Sequence, residues 1–124
     1  MKYFLGSLES AIMDVLWTRG PSTVREVVDE LRGRRLAYTT IMTVMNRLAT
    51  DGYLRRTAGP SNSYRYHAQQ DRESFAAVCS RNNIHALVDR YGDVALVQFL
   101  QTLDTLPAEK LQRLKRHAGK KRHE

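Results

Sequence analysis

The chain has 124 residues, 42% of them hydrophobic and 27% charged, which favours one compact domain with at most a small appendage and excludes a wholly disordered chain. No apolar run approaches the roughly 20 residues that span a bilayer, and Glu9 and Asp14 come before any long apolar stretch, so neither a membrane span nor a signal peptide is expected. The lone Cys79 cannot form an internal disulfide, and a cytoplasmic protein is therefore expected. The 20 Lys and Arg side chains exceed the 13 Asp and Glu side chains and give a net charge of +7, which favours a polyanionic partner such as nucleic acid.

Three helices are predicted in the first half of the chain from apolar residues at three- and four-residue steps. The first covers 7–18 and is stopped by Arg19-Gly20-Pro21, with Gly20 predicted as a left-handed C-terminal cap. The second begins at Thr23, which has the capping-box spacing with Glu26. The third covers about 39–51. Its predicted buried face carries Ile41, Val44, Met45 and Leu48.

A β-hairpin is predicted after the third helix. Its strands are 53–57 and 64–68, which are rich in aromatic and other β-compatible residues, and the segment 58–63 between them is rich in turn-forming residues. Tyr64 and Tyr66 lie on the same face of the second strand, and both are expected in the core.

The helical pattern resumes at residue 71, with Asn82-Asn83 as a potential break and Pro107 in the first turn of a last helix. This order of elements predicts a mainly α fold with a small β-hairpin (α+β). An N-terminal winged helix-turn-helix occupies 1–70, and a C-terminal helical dimerisation domain with a basic C-terminal tail occupies 71–124.

The exposed face of the third helix carries side chains suited to the major groove of DNA. Threonines are short and can pack a methyl on thymine, whereas Asn and Arg reach base edges or phosphates. The predicted DNA-binding residues of this helix are Thr39, Thr40, Thr43, Asn46 and Arg47. Those of the hairpin, expected at phosphates, are Arg55, Arg56 and Arg65. The alternatives are a solvated polar face or a winged helix that docks onto another protein.

Several short motifs lie within residues 5–68. They are Leu8-Glu9, Val15-Leu16-Trp17, Thr23-Val24-Arg25-Glu26-Val27, AYTTIMTV at 37–44, Gly52-Tyr53-Leu54 and Tyr64-Arg65-Tyr66. Together they resemble the BlaI/MecI family of penicillinase and methicillin-resistance repressors. The resemblance implies a bacterial winged-helix repressor that occupies dyad operators as a homodimer, with Thr39, Thr40, Thr43 and Arg47 on the DNA-reading helix. It also implies a membrane sensor or protease that inactivates the repressor within its dimerisation part, where 94–106 aligns.

The C-terminal half predicts a dimer without that resemblance. Helices this few and short cannot bury their own apolar residues, so a second copy is expected to cover them. The predicted interface residues are Phe75, Val78, Leu87, Val88, Tyr91, Val97, Leu100 and Leu103. The alternative is that these helices pack back on the winged helix of the same chain.

Enzymatic activity is not expected, because the sequence contains no nucleophile elbow, glycine-rich phosphate loop or His-Glu-x-x-His pattern. No cofactor or metal is expected either, because the related CopY repressors bind metal through paired cysteines and Cys79 stands alone. His67 and His85 are interpreted as polar residues without a catalytic role. The sequence leaves three alternatives for the basic tail at 115–124: it binds DNA phosphates, it binds an acidic protein, or it binds nothing and is solvated.

Overall fold

The computed structural model describes residues 5–121. In chain order, the elements of this range are α1 (Ser7–Arg19), β1 (Ser22–Thr23), α2 (Val24–Glu30), α3 (Tyr38–Thr50), β2 (Leu54–Ala58), β3 (Tyr64–Ala68), α4 (Arg72–Tyr91), α5 (Asp93–Asp104) and α6 (Ala108–Lys121), with single 3₁₀ turns at Arg32–Arg34 and Pro60–Asn62. The predicted fold class, mainly α with a small β-hairpin in a winged-helix order, is confirmed.

The first three helices enclose one core. The buried side chains of this core are Ile12, Met13, Leu16, Val24, Val27, Ile41, Val44, Met45, Leu48, Leu54 and Tyr66. The predicted capping box of α2 is confirmed: the Thr23 hydroxyl accepts from the Glu26 amide at 3.2 Å, and the Glu26 carboxylate accepts from the Thr23 amide at 2.9 Å. Gly20 has a φ of +98°, which favours glycine over other residues, and this allows the chain to turn from α1 into β1.

A third strand, β1, was not predicted. Its two residues pair antiparallel with β3, Ser22 opposite Tyr66 and Thr23 opposite Arg65, so the sheet has the order β1-β3-β2. Two residues are too few to show a period of two in the sequence. The consequence is that the start of α2 is joined through β1 to the hairpin.

The prediction that both hairpin tyrosines lie in the core is right for Tyr66 and wrong for Tyr64. Tyr66 is 2% exposed, whereas Tyr64 is 53% exposed. Alternation puts both on one face, but Tyr64 pairs with Ala58 at the end of the hairpin next to the turn, away from the buried Leu54. It therefore contributes to the surface of the wing.

An aromatic cluster fastens the start of α4 to the winged helix. The Phe75 ring makes edge-to-face contacts with Trp17 and Tyr53, at centroid distances of 5.2 and 5.4 Å. The Trp17 indole N–H donates to the carbonyl oxygen of Gln70 at 2.8 Å. Phe75, predicted at the dimer interface, thus packs within its own chain.

The chain divides into two compact units, Met1–Asn82 and Asn83–Glu124. The first unit includes the beginning of α4 as well as the winged helix. The predicted division into domains after residue 70 stays a prediction. The potential break at Asn82-Asn83 is not realised in the helix itself, because α4 runs without interruption from Arg72 to Tyr91.

The second unit has little core of its own within the described range. Ala95 is its one buried hydrophobic residue there. The predicted last helix is present as α6 and continues to Lys121, so the basic segment from residue 115 to 121 is helical; residues 122–124 lie outside the described range. Within residues 5–121, no helix is both long and apolar enough to cross a membrane.

Candidate nucleic-acid interface

Helix α3 has three faces with different surroundings. Ile41, Val44, Met45 and Leu48 form the buried face, as predicted. Tyr38, Met42 and Asn46 follow one another at four-residue steps and line a groove between α3 and the hairpin. The remaining face is exposed to solvent. Its members are Thr39, Thr40, Thr43, Arg47 and Thr50.

The outer face of α3 is polar, but two of its threonine hydroxyls already donate their hydrogen to the backbone of the helix. The Thr43 hydroxyl donates to the backbone carbonyl of Thr39 at 2.8 Å, and the Thr50 hydroxyl donates to that of Asn46 at 3.0 Å. Both hydroxyls therefore offer a ligand an acceptor oxygen and a methyl group, which suits a base-edge amino group or a thymine methyl. Sequence reasoning missed Thr50, although its spacing of seven from Thr43 signals the same face.

Asn46 is a structural link as well as a predicted DNA contact. Its side-chain oxygen accepts from the Tyr66 hydroxyl at 2.6 Å and from the Arg56 guanidinium at 3.4 Å. Burial raises the pKa of Tyr66, so its hydroxyl stays protonated and serves as the donor. The link ties α3 to both long strands of the sheet.

The hairpin arginines lie on different faces. Arg56 pairs with Tyr66 across the strands, and its guanidinium lies over the Tyr64 ring, 4.9 Å from the centroid. Arg56 thus faces the groove beside α3. Arg55 and Arg65 lie on the opposite face by alternation. Of these three arginines, Arg56 is therefore the one that the hairpin holds on the face turned towards α3.

Arg65 is partly committed to Glu26. The two side chains are 3.8 Å apart, and Glu26 also pairs with Arg19. The backbone hydrogen bond from Thr23 and the charges of Arg19 and Arg65 together outweigh burial and lower the pKa of Glu26, so its carboxylate is ionised at neutral pH. Arg55 has no ion pair among the described residues.

A second arginine–tyrosine stack also lines the groove, and sequence reasoning missed it. The Arg25 guanidinium at the start of α2 lies 4.8 Å from the centroid of the Tyr38 ring at the start of α3. The groove that both stacks line has a volume of about 590 Å³. Arg25 and Tyr38 lie 13 positions apart in the sequence, a spacing that carries no helical or strand signal. Each stack holds a cation beside the groove.

Other polar residues have local partners. The His67 ring nitrogen Nε2 lies 2.8 Å from the Thr57 hydroxyl. Burial and the charges of Arg55 and Arg65 lower the pKa of His67, so the ring is neutral at pH 7. Burial raises the pKa of the Cys79 thiol, which disfavours the reactive thiolate. No group of three or more potential His, Cys, Asp or Glu metal ligands occurs within the described range.

The whole-chain comparison decides the family. The penicillinase repressor family model matches residues 5–119, which include both the winged helix and the helical second unit. The chain belongs to the penicillinase repressor family. The predicted resemblance to BlaI/MecI repressors is thereby confirmed, and the match extends well past the motifs at residues 5–68.

Two relatives agree with this family. The transcriptional regulators BlaI of two Mycobacterium tuberculosis strains, CDC 1551 and H37Rv, are each 37% identical over 112 residues, which cover 88% of this chain and 80% of the relative. Solved structures are more distant. Transcriptional regulator Tm0710 from Thermotoga maritima is 22% identical, covering 90% of this chain and 77% of the other, with a TM-score of 0.48. The MarR family regulator NMB1585 from Neisseria meningitidis is 18% identical, covering 92% and 81%, with a TM-score of 0.48. Membership of the penicillinase repressor family makes this chain a transcriptional regulator.

Proposed function

We propose that this member of the penicillinase repressor family represses transcription by binding an inverted-repeat operator as a homodimer. The observation that carries the proposal is the outer face of α3, which is solvent-exposed and polar along its length from Thr39 to Thr50. A helix of this kind fits the major groove, about 12 Å wide, while its opposite face stays packed on the core.

The contacts around α3 support a proposal in which one set of side chains reads bases and another binds phosphates. Thr39, Thr40, Thr43 and Arg47 are proposed to meet base edges. Arg56 and Arg25, each held over a tyrosine ring beside the groove, are proposed to meet phosphates. Arg55 and Arg65 are proposed as further phosphate contacts on the other face of the wing. Asn46 is proposed to act mainly through its link to Tyr66.

The homodimer is supported by the apolar surface of the second unit. Seven large aliphatic side chains of α4 and α5 in this unit are between 40% and 66% exposed: Ile84, Leu87, Val94, Leu96, Val97, Leu100 and Leu103. Exposed apolar side chains in that number are costly in water, and a second copy would cover them. Tyr91 and Leu114 are exposed to a similar degree, at 54% and 43%. Val78 and Val88, both half-buried, complete the proposed interface with Leu87, Tyr91, Val97, Leu100 and Leu103.

The test is selection of bound duplexes from a random-sequence DNA library with purified protein near physiological salt. Enrichment of an inverted repeat supports sequence reading and two-fold symmetry together. Thr43→Ala and Arg47→Ala should then each lower affinity for the enriched duplex by about 5- to 150-fold. Thr102→Ala is the matched control for Thr43→Ala, because the Thr102 hydroxyl makes the same 2.8 Å hydrogen bond to the carbonyl of Gln98 on α5.

The competing function is a winged helix that docks onto a protein. It is favoured if no sequence is enriched, or if the α3 variants weaken binding to enriched and random duplexes by the same factor. Sedimentation separates the dimer from this question, because a single 14.3 kDa species at micromolar concentration contradicts the homodimer whatever the DNA result.

The proposal places the repressor in the cytoplasm, where its DNA is, and includes inactivation through a membrane sensor or protease. The aligned segment 94–106 falls largely on α5, whose Val94 and Leu100 are 66% and 63% exposed. Mass spectrometry of the repressor before and after induction should find a new terminus in this segment. An intact chain after full induction would argue for a different inactivating event.

A further inference from the structure

The cations of the chain differ in how they are partnered. In the first unit, Arg19, Arg65 and Arg72 form ion pairs with Glu26, Glu30 or Asp14. None of the ion pairs among the described residues involves α6. The described cations of α6 are Lys110, Arg113, Lys115, Arg116 and Lys120, and the helix has one acidic residue, Glu109.

Three of these cations, Arg113, Arg116 and Lys120, lie on one side of α6. Leu111, Leu114 and Ala118 recur at three- and four-residue steps and form a narrow apolar stripe. Arg113, Arg116 and Lys120 recur at the same steps on the opposite side and are solvent-exposed. In a helix of this kind the apolar stripe can pack against an apolar interface while the charged side chains on the opposite side contact a polyanion.

We propose that the basic face of α6, defined by Arg113, Arg116 and Lys120, is a second DNA-binding surface that contacts backbone phosphates independently of sequence. DNA is favoured over other polyanions because duplex DNA carries one negative charge per roughly 1.7 Å of its axis and this family acts on transcription. The inference rests on the proposed function for the identity of the polyanion, but not on operator reading by α3.

The test compares the salt dependence of binding to a random 40-base-pair duplex for two double variants. Arg113→Gln with Arg116→Gln removes two charges from the basic face. Arg81→Gln with Arg90→Gln removes two arginine charges from exposed positions of α4 and is the matched control. Each phosphate contact contributes about 0.9 to the slope of log affinity against log salt, so the α6 variant should reduce the slope by about 1 to 2 and the control by less than about 0.5. Circular dichroism and sedimentation of both variants check that fold and oligomeric state are retained.

Equal slopes for the two variants overturn the proposal. A loss of binding to vesicles containing phosphatidylserine by the α6 variant, with an unchanged DNA slope, also overturns it and makes an anionic membrane the partner of this face. Failure of the proposed operator function has a different signature. In that case no sequence is enriched from the library, yet the α6 variant still changes the slope on random DNA.

Discussion

Asn46→Ala tests whether the link between α3 and the sheet stabilises the winged helix. In the native protein the Asn46 side-chain oxygen accepts from the Tyr66 hydroxyl at 2.6 Å, and Tyr66 is 2% exposed. Alanine removes the acceptor and leaves that hydroxyl without its partner in the core. Tyr66→Phe removes the hydroxyl itself, so no polar group is stranded.

The two substitutions should therefore have unequal costs. A stranded buried hydroxyl costs about 1–3 kcal/mol, whereas deletion of one hydrogen bond costs about 1 kcal/mol. The higher helix propensity of alanine offsets up to about 0.7 kcal/mol for Asn46→Ala. We expect about 1.5 kcal/mol of destabilisation from Asn46→Ala in the native background. In the Tyr66→Phe background, the same change should alter stability by less than about 0.5 kcal/mol.

Urea unfolding of the four proteins of this double-mutant cycle measures the free energy of unfolding, at one fixed protein concentration because a dimer unfolds in a concentration-dependent way. The difference between the two backgrounds is the coupling between Asn46 and Tyr66. An equal cost of Asn46→Ala in both backgrounds would refute the reasoning. Operator affinity separates the roles, since Tyr66→Phe should leave base contacts intact, whereas Asn46→Ala would lower specific affinity further only if the amide also reads a base.

Three further outcomes are expected from local contacts. Thr23→Ala should lower the free energy of unfolding by about 1 kcal/mol, because it removes the capping hydroxyl of α2. His67→Gln should flatten the stability profile below about pH 6.5: the folded state lowers the pKa of His67, so the native protein loses stability as the unfolded chain gains protons there. Leu100→Glu should convert the dimer to a monomer in sedimentation, because Leu100 is 63% exposed in the single chain and a carboxylate would be buried at the proposed interface.

Each of these has a control. Thr23→Ser keeps the hydroxyl and should retain most of the stability lost in Thr23→Ala. For His67→Gln the control is the native chain, unfolded in urea over the same pH range. Gln101→Glu adds the same charge at an exposed position beside Leu100, and a monomer from this variant too would mean that charge alone disrupts the dimer.

Local patterns in the sequence predicted the elements that carry their own signals. Ile41, Val44, Met45 and Leu48 recur at helical steps, and such a stripe identifies a buried face before any partner is known. Thr23 and Glu26 are three residues apart, so the capping box depends on one turn of chain alone. The winged-helix order and the outer face of α3 followed from these patterns.

The tertiary structure decided which of several equivalent residues takes part in a contact. Tyr64 and Tyr66 are equivalent in the sequence pattern. Tyr66 pairs with Arg56 in the middle of the hairpin and is buried, whereas Tyr64 pairs with Ala58 next to the turn and is exposed. Arg55 and Arg56 are adjacent, yet alternation along β2 sends only Arg56 toward Asn46. The Arg25–Tyr38 stack joins residues from two helices. Such contacts depend on how helices and strands approach one another in space. A short-range pattern along the chain does not determine the distance between two separate elements.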